Sequence, residues 1–185
     1  DLELILVDDG STDGSGALMQ SYADRDPRVR LIRQENTGLT RALVRGVGAA
    51  RGIYIARMDA DDISLPDRIR LQSEMLATDP ALVAVSCHIG FIDTADKLVM
   101  RYNFLPYPRA ILGFTNLFAN ALGGHGQMMF RKDAYDRVGG YDPGFRYAQD
   151  YDLWSRMLEI GEIGQVEELL YYYRWNDDSI SARNW

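Results

Sequence analysis

The chain has 185 residues, which is the size of one ordinary domain. Hydrophobic residues make up 46 % and charged residues 25 %, a balance that lets a globular chain bury a core and excludes a disordered or collagen-like one. Its 20 basic and 27 acidic residues give a net charge of −7, which argues against nonspecific binding to nucleic acid.

The first half of the chain alternates short apolar runs with segments of helical periodicity. Strands are predicted at 4–7, 29–32, 53–56 and 82–87, and helices at 15–25, at 39–50 and after Pro66. In the last of these helices we expect Ile69, Gln72, Met75 and Leu76 to share one face. A repeated strand-helix-strand order predicts a parallel sheet with helices on both faces.

The second half has a looser pattern. It predicts strands at 99–104, 127–130 and 169–175 and helices at 108–122 and 149–160, which together indicate a mixed α+β extension of the first half. The single cysteine, Cys87, lies in the apolar run 82–87 and is therefore expected to be a core thiol in a reducing compartment. No run reaches the roughly 18 apolar residues that a membrane-spanning helix needs.

Two groups of carboxylates follow predicted strands. Asp8 and Asp9 end the first strand, and Asp59, Asp61 and Asp62 end the third. In open parallel sheets ligands bind beyond the carboxyl ends of the strands. Clustered carboxylates repel one another, so a divalent cation that also bridges to a diphosphate is the simplest partner for them. The alternative is that these aspartates are solvated turn residues.

A third acidic position opens the predicted helix at 149–160. Asp150 and Asp152 are two residues apart and so do not share a helix face. One of them can face a cleft while the other caps the helix or faces solvent. A carboxylate near a metal and a diphosphate could serve as the general base for an incoming hydroxyl. Capping of the helix by both residues is the alternative.

The segment Asp59-Ala-Asp61 after a strand also fits a phosphohydrolase with an aspartate nucleophile. Such enzymes need a lysine to neutralise the phosphorylated aspartate, and this chain has only Lys97 and Lys132. The phosphohydrolase hypothesis therefore stays open as a lesser alternative.

Five motifs in order resemble the family-2 inverting glycosyltransferases of the GT-A fold. They are Val7-Asp-Asp-Gly-Ser-Thr-Asp-Gly-Ser15, Asn36-Thr-Gly-Leu39, Arg57-Met-Asp-Ala-Asp-Asp-Ile-Ser-Leu-Pro-Asp-Arg68, Gly139-Gly-Tyr-Asp142 and Gln149-Asp-Tyr-Asp-Leu-Trp154. The resemblance runs from residue 1 to about residue 175. It implies a Rossmann-like α/β fold, with a mostly parallel sheet between helices and a mixed α+β C-terminal half. The usual first strand of the family is expected to be missing.

The same resemblance implies one domain over 1–185, with a nucleotide-sugar-binding half at 1–90 and an acceptor-binding half at 91–185. The implied activity is transfer of a sugar from a nucleoside-diphosphate sugar to an acceptor hydroxyl, with inversion at the anomeric carbon. The implied setting is bacterial cell-surface polysaccharide or lipopolysaccharide synthesis.

Roles follow from the resemblance residue by residue. Asp9, with Asp8 beside it, would contact the nucleotide base. Asp59 would lie toward the ribose and donor sugar, and Asp61 would hold Mn²⁺ or Mg²⁺ on the diphosphate. Asp150 would be the catalytic base. His125 is expected on the acceptor side.

The expected partners are a nucleotide-sugar donor and a saccharide or lipid-linked acceptor, with no nucleic acid. We expect a cytoplasmic location with peripheral contact to the inner membrane, for which the segment 105–122 is the candidate. The alternative to an enzyme is a degenerate, non-catalytic domain that binds partners. A sheet without its first strand has an exposed edge, so a dimer is a further expectation.

Overall fold

The computed structural model describes residues 1–102 and 124–175 of the chain. These residues form eight strands and five helices, which in chain order are β1 (Leu4–Asp9), α1 (Ser15–Ala23), β2 (Val29–Gln34), α2 (Leu39–Ala49), β3 (Tyr54–Ala56), β4 (Ile63–Ser64), α3 (Arg68–Thr78), β5 (Leu82–Ile92), β6 (Leu98–Tyr102), β7 (Met129–Arg131), α4 (Lys132–Arg137), α5 (Gln149–Leu158) and β8 (Glu162–Arg174). The helix predicted over 108–122 and the candidate membrane segment 105–122 lie outside the described residues. Within the described ranges, every helix is too short or too polar to span a bilayer.

The chain folds into two compact units, each built from two stretches of sequence. Unit 1 comprises Asp1–Ile55 and Lys132–Trp154, and unit 2 comprises Ala56–Arg131 and Ser155–Trp185. The division falls within β3 and again within α5.

The sheet of unit 1 consists of β1 and β2, which run parallel with Leu4 opposite Val29. α1 makes the crossover between them, as the predicted strand-helix-strand order requires. α2 packs on β1 and continues through Gly46, although glycine lowers helix propensity. A Cβ at this glycine would lie 3.2 Å from Val7 Cγ2, so its absence lets the helix and the strand approach closely.

Glu3, just ahead of β1, fastens three segments of unit 1 together. Its carboxylate accepts a hydrogen bond from the Arg30 guanidinium at 2.7 Å and one from the backbone N–H of Arg51 at 2.7 Å. The bond from the Arg51 backbone, followed by the one from the Arg30 side chain, lowers the pKa of Glu3 to about 2. Glu3 is therefore ionised at neutral pH and ties β2 and the segment after α2 to the start of β1.

The second stretch of unit 1 begins with α4, a short helix that the sequence pattern did not predict. The backbone N–H of Lys132 donates to the carbonyl of Ile53 at 3.0 Å, which fastens the start of this stretch to the first one. After α4 the chain turns at Gly140, whose φ of 70° lies in the left-handed region. A Cβ there would lie 2.6 Å from the ring of Tyr135, so glycine is needed for both space and conformation.

The sheet of unit 2 is mixed, and it joins strands from the second half of the chain to β5, which was predicted as part of a parallel sheet. Its strand order is β7-β5-β8-β4, and β6 pairs with the last part of β5. β5 runs parallel to β8 and antiparallel to β6 and β7, and β4 runs antiparallel to β8. β5 thus has neighbours along both edges and forms the centre of this sheet.

The core of unit 2 lies around β5 and α3. Residues 82–87 of β5 are all buried, which fits their continuous apolar pattern. α3 packs against β5 and contributes the fully buried Leu76. Cys87 is also fully buried, and burial raises the pKa of its thiol to about 11. The expectation of a core thiol is confirmed, since a thiol in such surroundings is a poor nucleophile.

Candidate functional site

Asp8, at the end of β1, is buried in unit 1. Its carboxylate accepts the backbone N–H of Ser11 at 2.9 Å and lies 4.0 Å from the Arg33 guanidinium. The Ser11 hydrogen bonds, with a smaller contribution from Arg33, hold the pKa of Asp8 below its ordinary value. A Cβ on Gly16 would lie 2.6 Å from Asp8 Oδ2, so α1 starts directly against this carboxylate. Asp8 therefore shapes the turn between β1 and α1.

Asp9, the next residue, closes the loop between β2 and α2 onto the end of β1. One of its oxygens accepts Gln34 Nε2 at 2.6 Å and the backbone N–H of Thr37 at 2.9 Å, and the other accepts the N–H of Gly38 at 2.9 Å. Burial alone would raise the pKa of Asp9, but the hydrogen bonds from Thr37, Gln34 and Gly38 outweigh it and hold the pKa below its ordinary value. Asp9 is thus an ionised, fixed carboxylate at the carboxyl end of β1.

The N-terminus of α2 links Asp9 to the loop that leads to Asp150. Thr37 and Gly38, just ahead of α2, donate to Asp9. In the first turn of α2, the buried Thr40 hydroxyl donates to the carbonyl of Phe145 at 2.7 Å. This carbonyl belongs to the loop before α5. Asp9 and the loop that leads to Asp150 are therefore held at the same helix end within unit 1.

Asp150 lies in the first turn of α5 and is half-buried. The helix is anchored by buried apolar side chains on one face, including Leu153 and Trp154, as its periodicity predicts. Gln149, the first residue of α5, is buried too. Asp152 occupies the same first turn, where the partial positive charge of a helix N-terminus favours carboxylates.

The loop between β3 and β4 carries the Asp59, Asp61 and Asp62 cluster in unit 2. Both carboxylate oxygens of Asp59 are bound by the two terminal nitrogens of Arg57. Arg57 itself is buried, so this ion pair is partly shielded from water. The backbone N–H of Asp59 donates to the Tyr171 hydroxyl at 3.2 Å. With both oxygens engaged by a cation, Asp59 is poorly arranged for nucleophilic attack on a phosphate.

Asp62 is the buried member of the cluster. It accepts the Tyr171 hydroxyl at 2.6 Å and the backbone N–H of Arg174 at 2.8 Å. Burial is the largest influence on its pKa, which rises to about 6, while these hydrogen bonds oppose the rise and the charges of Asp59 and Asp61 add to it. Asp62 therefore anchors the loop to β8.

Asp61 is the exposed member of the cluster. Its backbone carbonyl accepts Arg174 Nε at 2.7 Å, so its main chain is held. Its carboxylate makes no hydrogen bond or ion pair with any residue of 1–102 or 124–175. Of the three aspartates, Asp61 alone presents free carboxylate oxygens to a ligand, as far as the described residues are concerned.

A divalent cation fits Asp61 as one of several ligands. Over the described ranges, no three His, Cys, Asp or Glu side chains are grouped to hold a metal ion by themselves. Mg²⁺ and similar hard cations are commonly bound through one or two carboxylates, with water and substrate phosphates as the remaining ligands. A solvent-facing carboxylate on a held backbone has the right donor chemistry for that kind of site.

His125 lies half-buried in the turn before β7. Its carbonyl accepts the backbone N–H of Met128 at 3.2 Å, which closes the turn. Burial, and to a lesser extent the positive charge of Arg57, keeps the pKa of His125 well below its ordinary value. The imidazole is therefore neutral at pH 7. Its expected position on the acceptor side stays a prediction.

The sequence analysis did not identify Arg68 as part of the site. Arg68 opens α3, is 1 % exposed, and donates to the carbonyls of Arg57 at 2.7 Å, Gly126 at 3.0 Å and Met128 at 3.3 Å. Its guanidinium also lies over the ring of Tyr171, 4.8 Å from the centroid. Arg68 thus joins the strand end before Asp59 to the turn that carries His125.

Gln72, one helical turn further along α3, makes a second set of buried links. Its side-chain amide donates to the carbonyls of Val85 at 3.1 Å and Gln127 at 2.8 Å, and its oxygen accepts Arg68 Nε at 3.1 Å. A glutamine on the otherwise apolar face of a predicted helix was the available signal for this network, since buried polar groups must be hydrogen-bonded.

The comparisons with known proteins agree with this architecture. The sequence model of glycosyl transferase family 2 matches residues 1–139. The chain is 35 % identical over 189 residues to the O-antigen biosynthesis glycosyltransferase WbnJ of Escherichia coli, a match that covers 97 % of this chain and 70 % of that protein. It is also 31 % identical over 172 residues to the chondroitin synthase of Escherichia coli, covering 92 % of this chain but 24 % of that protein.

Solved structures have the same fold. The mannosyltransferase PcManGT from Pyrobaculum calidifontis, solved in complex with GDP-Man and Mn²⁺, is 22 % identical with a TM-score of 0.70, covering 98 % of this chain and 50 % of that one. Staphylococcus aureus TarS 1-349 in complex with UDP-GlcNAc is 13 % identical with a TM-score of 0.75, covering 99 % of this chain and 52 % of that one. At these identities the likeness establishes the fold, which is the predicted GT-A type of α/β fold.

Fold and sequence together define a sugar-transferring enzyme class. The chain belongs to glycosyl transferase family 2. Several relatives act in polysaccharide or O-antigen synthesis in bacteria. The chain spans a quarter or less of the length of the chondroitin and hyaluronan synthases that it matches and about half of the solved structures.

Proposed function

We propose that this chain transfers a sugar, with inversion, from a nucleoside-diphosphate sugar to an acceptor hydroxyl in the synthesis of a bacterial cell-surface polysaccharide. The observation that carries the proposal is the division of roles in the loop after β3. Asp59 is paired with Arg57 and Asp62 is buried against β8, whereas Asp61 presents an exposed carboxylate from a held backbone. This arrangement supports a cation-assisted diphosphate site, and the family supplies the reaction class.

In this proposal Asp61 holds Mn²⁺ or Mg²⁺, and Asp59 lies toward the ribose and the donor sugar. A bound cation would offset the negative charge that develops on the departing diphosphate. Asp9, with Asp8 beside it, lies toward the nucleotide base. Asp9 is already ionised and fixed by three neighbours, which supports a positioning role at the donor end.

Asp150 acts as the general base. The acceptor oxygen attacks the anomeric carbon while the bond from that carbon to the diphosphate oxygen breaks, and the acceptor proton passes to the Asp150 carboxylate. Inversion requires a base on the face of the sugar opposite the leaving group, and Asp150 is proposed as that base. The link from α2 to the loop before α5 supports this role, because it fixes the chain that leads into Asp150.

The remaining roles are proposals of the same kind. His125 contributes to the acceptor side as a neutral imidazole, consistent with its low pKa. Residues 1–90 bind the nucleotide sugar, and residues 91–185 bind a saccharide or lipid-linked acceptor. We also propose a cytoplasmic location at the inner face of the membrane and self-association as a dimer.

Calorimetric titration with UDP, GDP and dTDP, each with and without Mn²⁺, tests the donor site. We expect at least one nucleotide to bind more tightly with Mn²⁺, and Asp61→Asn to abolish the metal-dependent part. Asp67→Asn is the matched control, since Asp67 is an exposed aspartate further along the chain that is paired with Arg70. Nucleotide binding that is absent or indifferent to the metal would overturn the proposal.

A transfer assay tests the base. Asp150→Asn is expected to lower sugar transfer by about 100-fold or more while nucleotide affinity stays near normal, since general-base catalysis contributes about 10²–10⁴-fold. Asp152→Asn, in the same helical turn, is the control and should retain most of the activity. An equal loss of binding and transfer in Asp150→Asn would assign Asp150 to helix capping instead.

A further inference from the structure

Tyr171, in β8, bridges the two ends of the Asp59–Asp62 loop with one hydroxyl group. The hydroxyl donates to Asp62 Oδ2 at 2.6 Å and accepts the backbone N–H of Asp59 at 3.2 Å. The side chain is fully buried, and its ring lies beneath the Arg68 guanidinium. A buried hydroxyl with both a donor and an acceptor partner in one loop restrains that loop at two points.

The surroundings of this hydroxyl are closely packed. A Cβ on Gly126 would collide with the Tyr171 hydroxyl, so the turn that carries His125 passes directly over it. Arg174, on the same strand, adds two more bonds to the loop, from its backbone N–H to Asp62 Oδ1 at 2.8 Å and from Nε to the carbonyl of Asp61 at 2.7 Å. β8 therefore holds the loop on both sides of the Asp61 side chain.

Asp61 itself has no carboxylate partner among the described residues, so its position depends on the backbone that carries it. We infer that Tyr171 is a positioning residue for Asp61, and that the Tyr171 hydroxyl sets the affinity of the site for a metal-bound nucleoside diphosphate. The inference rests on the proposed function, because it gives Asp61 a metal to hold. Outer partners that orient metal ligands commonly change metal affinity or activity by about 10–100-fold when they are removed.

The test compares Tyr171→Phe with Tyr172→Phe. Phenylalanine keeps the ring under Arg68 and removes only the bridging hydroxyl. The hydroxyl of Tyr172, the next residue on the strand, makes no hydrogen bond within residues 1–102 and 124–175, so its variant controls for loss of a hydroxyl from β8. For the nucleotide found to bind with Mn²⁺, calorimetry gives the affinity with and without the metal.

We expect Tyr171→Phe to weaken metal-dependent nucleotide binding by about tenfold or more and to leave metal-independent binding unchanged. Tyr172→Phe should match the unsubstituted chain in both. Hydrogen exchange supplies a readout that does not involve the metal: the Asp59 amide should exchange faster in Tyr171→Phe, because its acceptor is gone, and not in Tyr172→Phe.

The outcomes distinguish a failure of the proposed function from a failure of the positioning role of Tyr171. If the unsubstituted chain binds nucleotide without any influence of Mn²⁺, the proposed function is wrong and the positioning role is lost with it. If metal dependence is present but Tyr171→Phe behaves as Tyr172→Phe does, the positioning role alone is wrong. A variant that fails to fold, or that loses stability with no change in metal-dependent affinity, would assign Tyr171 a purely structural role and overturn the inference.

Discussion

Replacing Arg68 with methionine removes the buried donors that hold the loop after β3 against the turn before β7. Methionine has a similar length and keeps the apolar contacts of the arginine stem, so the change isolates the guanidinium. The group donates to three backbone carbonyls and to Gln72. Burial lowers the pKa of Arg68, yet an arginine stays protonated at neutral pH, so a charged donor is being deleted.

The expected cost follows from which acceptors lose their partner. The carbonyl of Met128 keeps a hydrogen bond from the backbone N–H of Arg57 at 3.1 Å, so the loss falls on the carbonyls of Arg57 and Gly126 and on the side-chain oxygen of Gln72. A buried acceptor left without a donor costs about 1–3 kcal/mol. Removing a desolvated charge offsets part of this cost. We therefore expect Arg68→Met to lower the free energy of unfolding by about 2–5 kcal/mol.

Urea denaturation followed by fluorescence and by circular dichroism measures this loss, and coincident curves establish that one transition is observed. For a chain of this size the corresponding fall in Tm is about 5–15 °C. Arg70→Met is the matched control on the same helix, because Arg70 is exposed and its ion pairs with Asp67 and Glu74 contribute little. If the two variants have the same midpoint, the reasoning that buried carbonyls depend on Arg68 is wrong.

Two further predictions concern unit 1. Thr40→Val removes the hydroxyl that donates to the Phe145 carbonyl without changing the shape of the side chain. It should lower the free energy of unfolding, measured in urea, by about 0.5–1.5 kcal/mol. Unchanged stability would show that water replaces the hydrogen bond. The pKa of Glu3 is about 2, below the value of an unfolded glutamate, so its contribution to stability is present above about pH 4.5 and is lost as the pH falls toward 2. The difference in urea midpoint between the unsubstituted chain and Glu3→Gln should shrink over that range, and a constant difference would contradict the assigned hydrogen bonds.

Elements with strong periodicity could be predicted from the sequence, and those set by strand pairing could not. β1, α2 and α5 lie close to their predicted bounds because their apolar residues follow one clear period. β8 was predicted at 169–175 and runs from Glu162 to Arg174. The exposed pair Glu167 and Glu168 interrupts the pattern where the register with β5 shifts, between Val166 opposite Cys87 and Leu169 opposite His88. A bulge of this kind is decided by the neighbouring strand.

α3 shows a second limit of the sequence pattern. Ile69 was expected on the buried face, but it is 41 % exposed, and Arg68 is buried with Gln72 and Leu76. Gln72 and Leu76 were expected on that face and are buried, whereas its first buried residue is Arg68 and not Ile69. Hydrophobicity cannot place a buried arginine, because what makes its burial favourable is a set of carbonyl acceptors brought in by tertiary structure.

For the site, the residue pattern identified the acidic cluster, and the family resemblance assigned the metal to Asp61, but neither gave the partners of each aspartate. Asp59, Asp61 and Asp62 are chemically identical and nearly adjacent, so only their partners distinguish them. The partner of Asp62 in β8, Tyr171, is 109 residues away along the chain. Such a partner is invisible to any local pattern, which is why the engagement of Asp59 and Asp62 and the exposure of Asp61 are seen only in the folded chain.

The interleaving of the two units affects how this protein is made. During translation β5 leaves the ribosome long before β8, its parallel neighbour, and unit 1 lacks residues 132–154 until unit 2 is mostly synthesised. The nascent chain therefore carries an apolar strand with an open edge for much of its synthesis, a state that is prone to aggregation. Slow elongation or a shortage of chaperones should consequently reduce the yield of soluble protein more than it would for a chain whose units follow one another in sequence.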